Sequence, residues 1–409
     1  MSRFSNRYKK IRRTVLEIIG AFDGVFAYKG PRCVQIDLTN ACNNNCIGCW
    51  CNSPLLDDYK QTSDATLPTD MVLSLLNELK NMGTEEIYFA GGGEPFMHPE
   101  AMRIISYAKK KGFIVSINTN FTLVTEDIAR YLVENKVDHL IVSLWAGTPD
   151  VYAQTHPNKT EETFYEIKSC LQFLNRYKRR RENVPCIKIY NVVFNMNYQN
   201  FPSMIDFVVA TESEAVEFTL IDTIPGKTDK LLLSEKQAEE LLFMAKKLKE
   251  QFDNENNTIC LENYETFLRR LSSSCQGNGE YDRDIMQTIP CYAGWTFARI
   301  VATGDVNSCL KSHRIPIGNL HKETFRSLWN SARQQEFRRK TRRFDIHDPY
   351  FRLIGNDTNA AVGCFRSCDN IGHSLLLHNK ITRLNKPVKA ILKTMAAVGR
   401  TRNSLSTRN

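Results

Sequence analysis

Six strand-like runs, each followed by residues of helical period, occupy the first half of the chain. The runs lie at 34–39, 86–90, 113–119, 139–144, 187–194 and 216–221, with helical stretches near 69–82, 98–111, 125–135, 161–181 and 202–210 between them. Strand–helix alternation of this regularity builds parallel βα units. In folds of that kind chemistry collects at the C-terminal ends of the strands.

The first strand end carries Cys42-Asn43-Asn44-Asn45-Cys46-Ile47-Gly48-Cys49, three thiols at C-x3-C-x2-C spacing. A loop of this length can wrap three sulfurs around one face of a four-iron cluster, whose usual complement is four thiolates. A cluster with one iron left unligated can bind a small molecule. The alternatives are a zinc site, which favours paired C-x2-C spacings, or an oxidised disulfide loop. The second strand end carries Gly91-Gly92-Gly93-Glu94-Pro95. Glycines bring backbone close to a ligand, and a carboxylate accepts from an ammonium group.

With both motifs in order, each after a strand, the chain resembles the radical S-adenosylmethionine (SAM) enzymes over most of its length. The resemblance implies an α/β fold, a partial (β/α)6 TIM-like barrel. It implies that Cys42, Cys46 and Cys49 hold a SAM-binding 4Fe-4S cluster, and that Gly92, Gly93, Glu94 and Pro95 contact the SAM amino group. Asn118, Thr119 and Asn120 after the third strand match the family's Thr-Asn pair beside SAM, and Ser143 matches a serine often placed near its methionine or ribose. Two departures stand out. Many members carry an aromatic residue where this chain has Gly48, which leaves Trp50 as a substitute against the adenine. Many peptide-modifying relatives show Leu-Asp-Gly where this chain has Leu144-Trp145-Ala146. Asn195 and Asp222, ending strands five and six, are further candidates to face substrate.

A second cysteine constellation lies beyond a polar linker at 253–257. Cys291 precedes a hairpin expected over 296–302 and 305–310, turning at Thr303-Gly304. Cys309 lies near its end, and Cys364-Phe365-Arg366-Ser367-Cys368 adds a C-x3-C pair. Cys291, Gly304 and Cys309, continued by Gly318-Asn319-Leu320 and Leu328-Trp329, resemble the SPASM/Twitch extension of radical SAM enzymes. That likeness implies a small C-terminal α+β iron–sulfur domain in which Cys291, Cys309, Cys364 and Cys368 hold one auxiliary 4Fe-4S cluster. A four-thiolate zinc fits the same residues. Cys260 and Cys275 are spare thiols that could replace one of the four.

The organisation expected is therefore a basic amphipathic helix in 1–30, the core barrel in 31–230, a connecting helix and linker in 231–257, the auxiliary domain in 258–375 and a basic tail in 376–409. Charge is distributed unevenly over it. Residues 1–20 hold six Lys/Arg and one acid, and 370–409 hold eight and none. Taking these from totals of 54 and 45 leaves 40 basic and 44 acidic residues in the body. The basic ends are either solvated or held at an anionic membrane surface; no specific nucleic-acid site is expected. No apolar run approaches the roughly 20 residues of a spanning helix, and the start lacks a signal peptide's apolar core. A reducing cytoplasm is expected, where thirteen cysteines serve metal rather than disulfides.

The function these features imply is reductive cleavage of SAM to a 5′-deoxyadenosyl radical that abstracts hydrogen from a substrate C–H bond, served by a reductant such as flavodoxin or ferredoxin. The barrel is preceded by about thirty residues, and Trp145 replaces an acid. Both favour a sugar or other small metabolite over the alternative of a peptide or a protein to be activated. An iron–sulfur electron carrier without catalysis is the rival of a different class.

Overall fold

The computed structural model describes residues 3–56, 64–254, 258–355, 363–364 and 366–406. The six expected runs form parallel neighbours in chain order: β1 (Cys33–Ile36), β2 (Glu86–Phe89), β3 (Ile114–Thr119), β4 (His139–Ser143), β5 (Cys186–Val193) and β6 (Ala215–Leu220). Helices Thr69–Asn81, Ala101–Lys110, Glu126–Glu134, Glu161–Arg179 and Phe201–Thr211 connect them. Parallel strands buried on both faces usually read as continuous apolar runs. Here they alternate: Ile187, Ile189 and Val193 of β5 join the apolar core, while Lys188, Tyr190 and Val192 line an internal cavity. The alternation marks a barrel with a hollow interior lined by charged, polar and apolar side chains together.

The C-terminal α+β part is joined to the barrel through the same sheet. β7 (Cys260–Glu262) adds parallel to β6. β8 (Phe297–Ile300) adds parallel to β1 at the other edge. β8 then forms the expected hairpin with β9 (Asp305–Asn307), turning at Gly304 with φ of +86°, and β10 (Gly318–Asn319) follows. The order is β10-β9-β8-β1-β2-β3-β4-β5-β6-β7, an open sheet and so a partial barrel. One apolar core includes Val34, Ile87 and Phe218 of the barrel with Ile317, Leu328 and Trp329 of the C-terminal part. The expected linker at 253–257 falls partly on helix Glu235–Asn254; its remainder lies outside the described residues.

The terminal helices Arg3–Asp23 and Lys386–Ser406 enter the same core through Ile18, Ile19, Leu392 and Ala396. Pro387 sits in the first turn, where its missing N–H leaves no bond unmade. Val388, Ile391, Met395 and Val398 form an exposed stripe on the C-terminal helix. Lys386, Lys389 and Lys393 project from roughly the opposite side of the cylinder. Among the described residues no helix is long and apolar enough to cross a membrane. Leu392→Ala should cost about 2–5 kcal/mol, read as a lower midpoint of thermal unfolding; an unchanged midpoint would show that the terminal helix does not pack in solution.

Candidate active site

Behind β1 the chain turns through the three-cysteine loop, and two neighbouring segments hold it. Asn45 N–H donates to Asn158 Oδ1 (3.1 Å), Asn158 N–H returns a bond to Asn45 Oδ1 (3.0 Å), and Asn158 Nδ2 donates to Asn43 O (3.0 Å). From β3, Asn120 Nδ2 donates to Asn43 Oδ1 (2.9 Å) and lies 3.9 Å from Cys42 Sγ. Cys42, Cys46 and Cys49 thereby share the wall of a cavity of about 660 Å³ that runs through the barrel. Burial pushes the Cys42 thiol up to about 11 and Cys46 well above its ordinary value. Cys49 is held down to about 7, first by the Cys51 thiol and then, against burial, by the N–H groups of Cys51 and Asn52.

The glycine turn after β2 packs against this loop backbone to backbone. A Cβ on Gly93 would lie 2.6 Å from Thr39 O and closer still to Ala41 O. Gly91 has φ of +132° and lies against Asp37. Glu94 is 2% exposed and accepts from Phe96 N–H (3.2 Å), Thr119 Oγ1 (2.7 Å) and Asn120 N–H (2.7 Å). Desolvation nevertheless lifts its carboxyl to about 7. Gly93, Glu94, Asn118, Thr119, Asn120 and Ser143 all line the cavity. Gly92 and Pro95 stand behind them: Gly92 O accepts from Cys51 Sγ (3.0 Å) and Asn52 Nδ2 (3.1 Å).

Aromatic groups reach the loop from unexpected directions. A side chain at Gly48 would meet Ile221 Cδ1 at 2.7 Å and Trp145 Cζ3 at 3.5 Å. Ile221 thus occupies the space a side chain there would need, and the Trp145 ring lies beside it; Trp145, two residues beyond β4, has φ of +62°. Such a backbone is costly for a bulky side chain and tends to persist where function requires it. Trp50 also faces the cavity, but beneath the Arg299 guanidinium (5.1 Å) and against His313 (6.1 Å). Asn195 does not line the cavity, because its amide donates to Lys230 O (2.7 Å) in the neighbouring loop. Asp222 does.

The second constellation closes as well. Cys291, Cys309, Cys364 and Cys368 line one largely apolar cavity with Phe337, Phe344, Phe351 and Ile354. Cys260 is exposed on β7, and neither it nor Cys275 lines that cavity. Asp222, Leu310, Lys311, Ser367, Cys368, Asp369 and Asn370 belong to both walls, so one layer of residues separates the cavities. Burial raises all four thiols, Cys291 to about 11. They can become thiolates together only around a cationic centre. Among the described residues no three His, Cys, Asp or Glu converge on a single metal ion. One tetrahedral zinc would draw its sulfurs to within about 3.8 Å of each other, whereas a four-iron cluster spaces its thiolates more widely. The thiol-only donors fit a cluster, and Asn118 Oδ1, buried without a partner in the first cavity, fits a hydrogen-bond donor of SAM.

Comparison with known proteins agrees. The radical SAM superfamily model matches residues 36–208, and the SPASM model, an iron–sulfur cluster-binding domain, matches 291–349. The chain belongs to the radical SAM superfamily. This radical SAM enzyme is 23% identical over 323 residues to the tungsten-containing aldehyde ferredoxin oxidoreductase cofactor-modifying protein of Pyrococcus furiosus, covering 76% of this chain and 84% of the relative. It is 25% identical over 314 residues to the AdoMet-dependent heme synthase of Methanosarcina barkeri, covering 74% and 83%. In fold it is similar to Streptococcus suis SuiB bound to SAM, with a TM-score of 0.59, 16% identity and coverage of 82% and 73%. Its cofactors are SAM, the SAM-binding 4Fe-4S cluster and an auxiliary 4Fe-4S cluster.

Asp37 and Arg299 belong to no motif in the sequence, and Cys51 reads there as a small hydrophobe or surface thiol. Cys51 is 2% exposed, with Sγ 3.6 Å from Cys49 Sγ, and its place two residues beyond the motif was the available signal. The fit at Gly93 gives a test. Gly93→Ala should force the glycine turn away from the cysteine loop and reduce SAM affinity at least tenfold in equilibrium dialysis, with secondary structure by circular dichroism retained; wild-type affinity would show that the close approach is dispensable.

Proposed function

We propose that Cys42, Cys46 and Cys49 hold the SAM-binding cluster, that Cys291, Cys309, Cys364 and Cys368 hold the auxiliary cluster, and that the substrate is a neutral or cationic sugar or small metabolite. When bound, the first cluster with SAM supplies a 5′-deoxyadenosyl radical that takes hydrogen from substrate, and the auxiliary cluster supplies one-electron exchange. The chain's own residues orient both reactants and exclude water from the cavity. Asn118, Asn120 and Ser143 offer hydrogen bonds beside the cysteine loop. The Trp145 ring provides a flat wall for the adenine. Glu94 Oε2, which takes only the Asn120 N–H, keeps a lone pair for the SAM ammonium.

One observation carries the substrate class: every Lys and Arg in the cavity wall is already paired. Lys188 binds Glu217 and Glu262, Arg270 binds Asp282, Arg299 binds Asp37 and Lys311 binds Asp222. Glu86, Glu94 and Asp369 add further acid to the wall. His373 is depressed to about 4 by burial and then by Arg32, and is neutral. A phosphate or polycarboxylate needs unpaired cations and finds none here among the described residues. An amine or a hydroxyl finds acceptors. A lipid-linked pyrophosphate is correspondingly disfavoured. A peptide side chain is the second reading, favoured by a 27% identity over 140 residues to a relative named PqqA peptide cyclase from Streptomyces rochei.

Anaerobically reconstituted protein should hold about eight irons per chain, falling to about four when Cys42, Cys46 and Cys49 are all replaced by Ala. Stoichiometric zinc in iron-replete protein would overturn the cluster assignment. Reduced protein with SAM should release 5′-deoxyadenosine slowly, and faster with an amino sugar or a short peptide than with their phosphorylated forms; preference for the phosphorylated forms would refute the substrate class. SAM affinity has a pH signature. A Glu94 carboxyl that titrates near 7 is increasingly protonated below that pH, and the proton competes with the ammonium. Affinity should fall as pH drops from 8 to 6, and Glu94→Gln should flatten the profile while costing about 1.5–3 kcal/mol at pH 8. A profile unaltered by the substitution would remove Glu94 as the ammonium partner.

A further inference from the structure

The layer shared by the two cavities contains one cation, Lys311, which is buried despite its charge. Its Nζ donates to Asp222 Oδ2 at the end of β6 (2.6 Å) and to Ser367 O (2.7 Å), and lies 3.6 Å from Asp369 Oδ2. Ser367 precedes Cys368, and Lys311 is two residues beyond Cys309, so the ammonium is held against the thiol cavity from both sides. Burial opposes the charge, but Asp222 and Asp369 keep it protonated. Its field lowers both Cys309 and Cys364 against the burial that raises them.

We propose that Lys311 is a positioning residue that raises the reduction potential of the group held by Cys291, Cys309, Cys364 and Cys368, and that Asp222 opposes it. The inference rests on the auxiliary-cluster reading of those cysteines. The potential of an iron–sulfur centre follows the net charge and hydrogen bonding around it. A fixed cation favours the reduced state, which carries one more negative charge, and a fixed anion disfavours it. In a buried setting of low effective dielectric a unit charge at several ångströms exceeds thermal energy severalfold. The arrangement also makes the auxiliary centre responsive to the radical chamber. Asp222, Lys311 and Asp369 face both cavities, so an amine or hydroxyl of the substrate that engages either carboxylate alters the charge the auxiliary centre experiences.

The test is a redox titration of reconstituted full-length protein followed by electron paramagnetic resonance, with the Cys42/Cys46/Cys49→Ala background isolating the auxiliary signal. Lys311→Met should lower the equilibrium ratio of reduced to oxidised centre at fixed potential at least tenfold, about 59 mV for a one-electron couple. Asp222→Asn should raise that ratio, and Lys311→Arg should stay close to wild type. Opposite shifts for the Met and Asn variants cannot come from general loosening of the fold, which would move both alike. If both leave the midpoint unchanged, or shift it in the same direction, the tuning role is overturned. Protein without about four irons in this background would instead overturn the auxiliary-cluster reading on which the inference rests. Should Lys311→Met lose its cluster through misfolding, the Lys311→Met/Asp222→Asn double variant removes the opposing acid charge as well. That double variant should return towards the wild-type midpoint, and a midpoint displaced as far as in a single variant would overturn the proposal.

Discussion

The buried pair of Arg299 with Asp37 joins the parts of this enzyme that must act together. Arg299 Nε and Nη2 donate to Asp37 Oδ2 at 3.0 and 2.7 Å, and Nη1 donates to Leu310 O at 2.7 Å. Asp37 follows β1 and leads into the three-cysteine loop, Gly91 rests on its side chain, and Leu310 is the neighbour of Cys309. One guanidinium thus fixes the cysteine loop, the glycine turn and the auxiliary hairpin relative to one another. It also lies over Trp50. Taking two charges out of water is costly, and their attraction repays that cost only with good geometry and satisfied hydrogen bonds. Gln35 Nε2 completes the set at Asp37 Oδ1 (2.9 Å). The pair is better understood as a device for registration than as a source of net stability.

What could be read in the sequence, and what could not, follows from how far each interaction reaches along the chain. The six core strands fall within a few residues of the runs that announce them, because period-two alternation is a local property. The hairpin turn at Gly304 was legible for the same reason, since a left-handed backbone favours glycine. β7 and β8 were not legible as parts of the barrel sheet. They have three and four residues, and β8 pairs with β1 from the very start of the sheet. Asp37 and Arg299 are 262 positions apart. No local pattern links them, although one charge in each of two otherwise uncharged strand runs was a usable hint. Trp145 was noticed as a departure at a strand end, yet its contact with Gly48 appears only when β4 is set beside the loop.

The cavity shows a second principle, that charge can shape a site without being offered to a ligand. Its cations serve acids of neighbouring elements: Lys188 ties β5 to β6 and β7, and Arg270 ties helix Tyr264–Leu271 to Asp282 and, through Thr219 (2.8 Å), to β6. Asp282 in turn accepts from Cys368 N–H (2.7 Å). The cations of the wall are all matched by acids, and a surplus of acid remains. Such a wall is suited to SAM, whose sulfonium and ammonium are cationic, and it repels polyanions.

The same network bears on why the auxiliary site is built on the barrel's sheet. A mobile iron–sulfur domain would let the separation between its thiols and the chamber fluctuate, and electron exchange would fluctuate with it. Here β8 is hydrogen-bonded to β1 in register, with Ile36 opposite Ile300, and the apolar core is continuous across the junction. The four thiols therefore stay one residue layer from the place where a substrate radical would form. Lys311 occupies that layer and contacts both sides. With the distance fixed by the sheet, the remaining variable is the charge within the layer, and a substrate that engages Asp222 or Asp369 is the group able to change it.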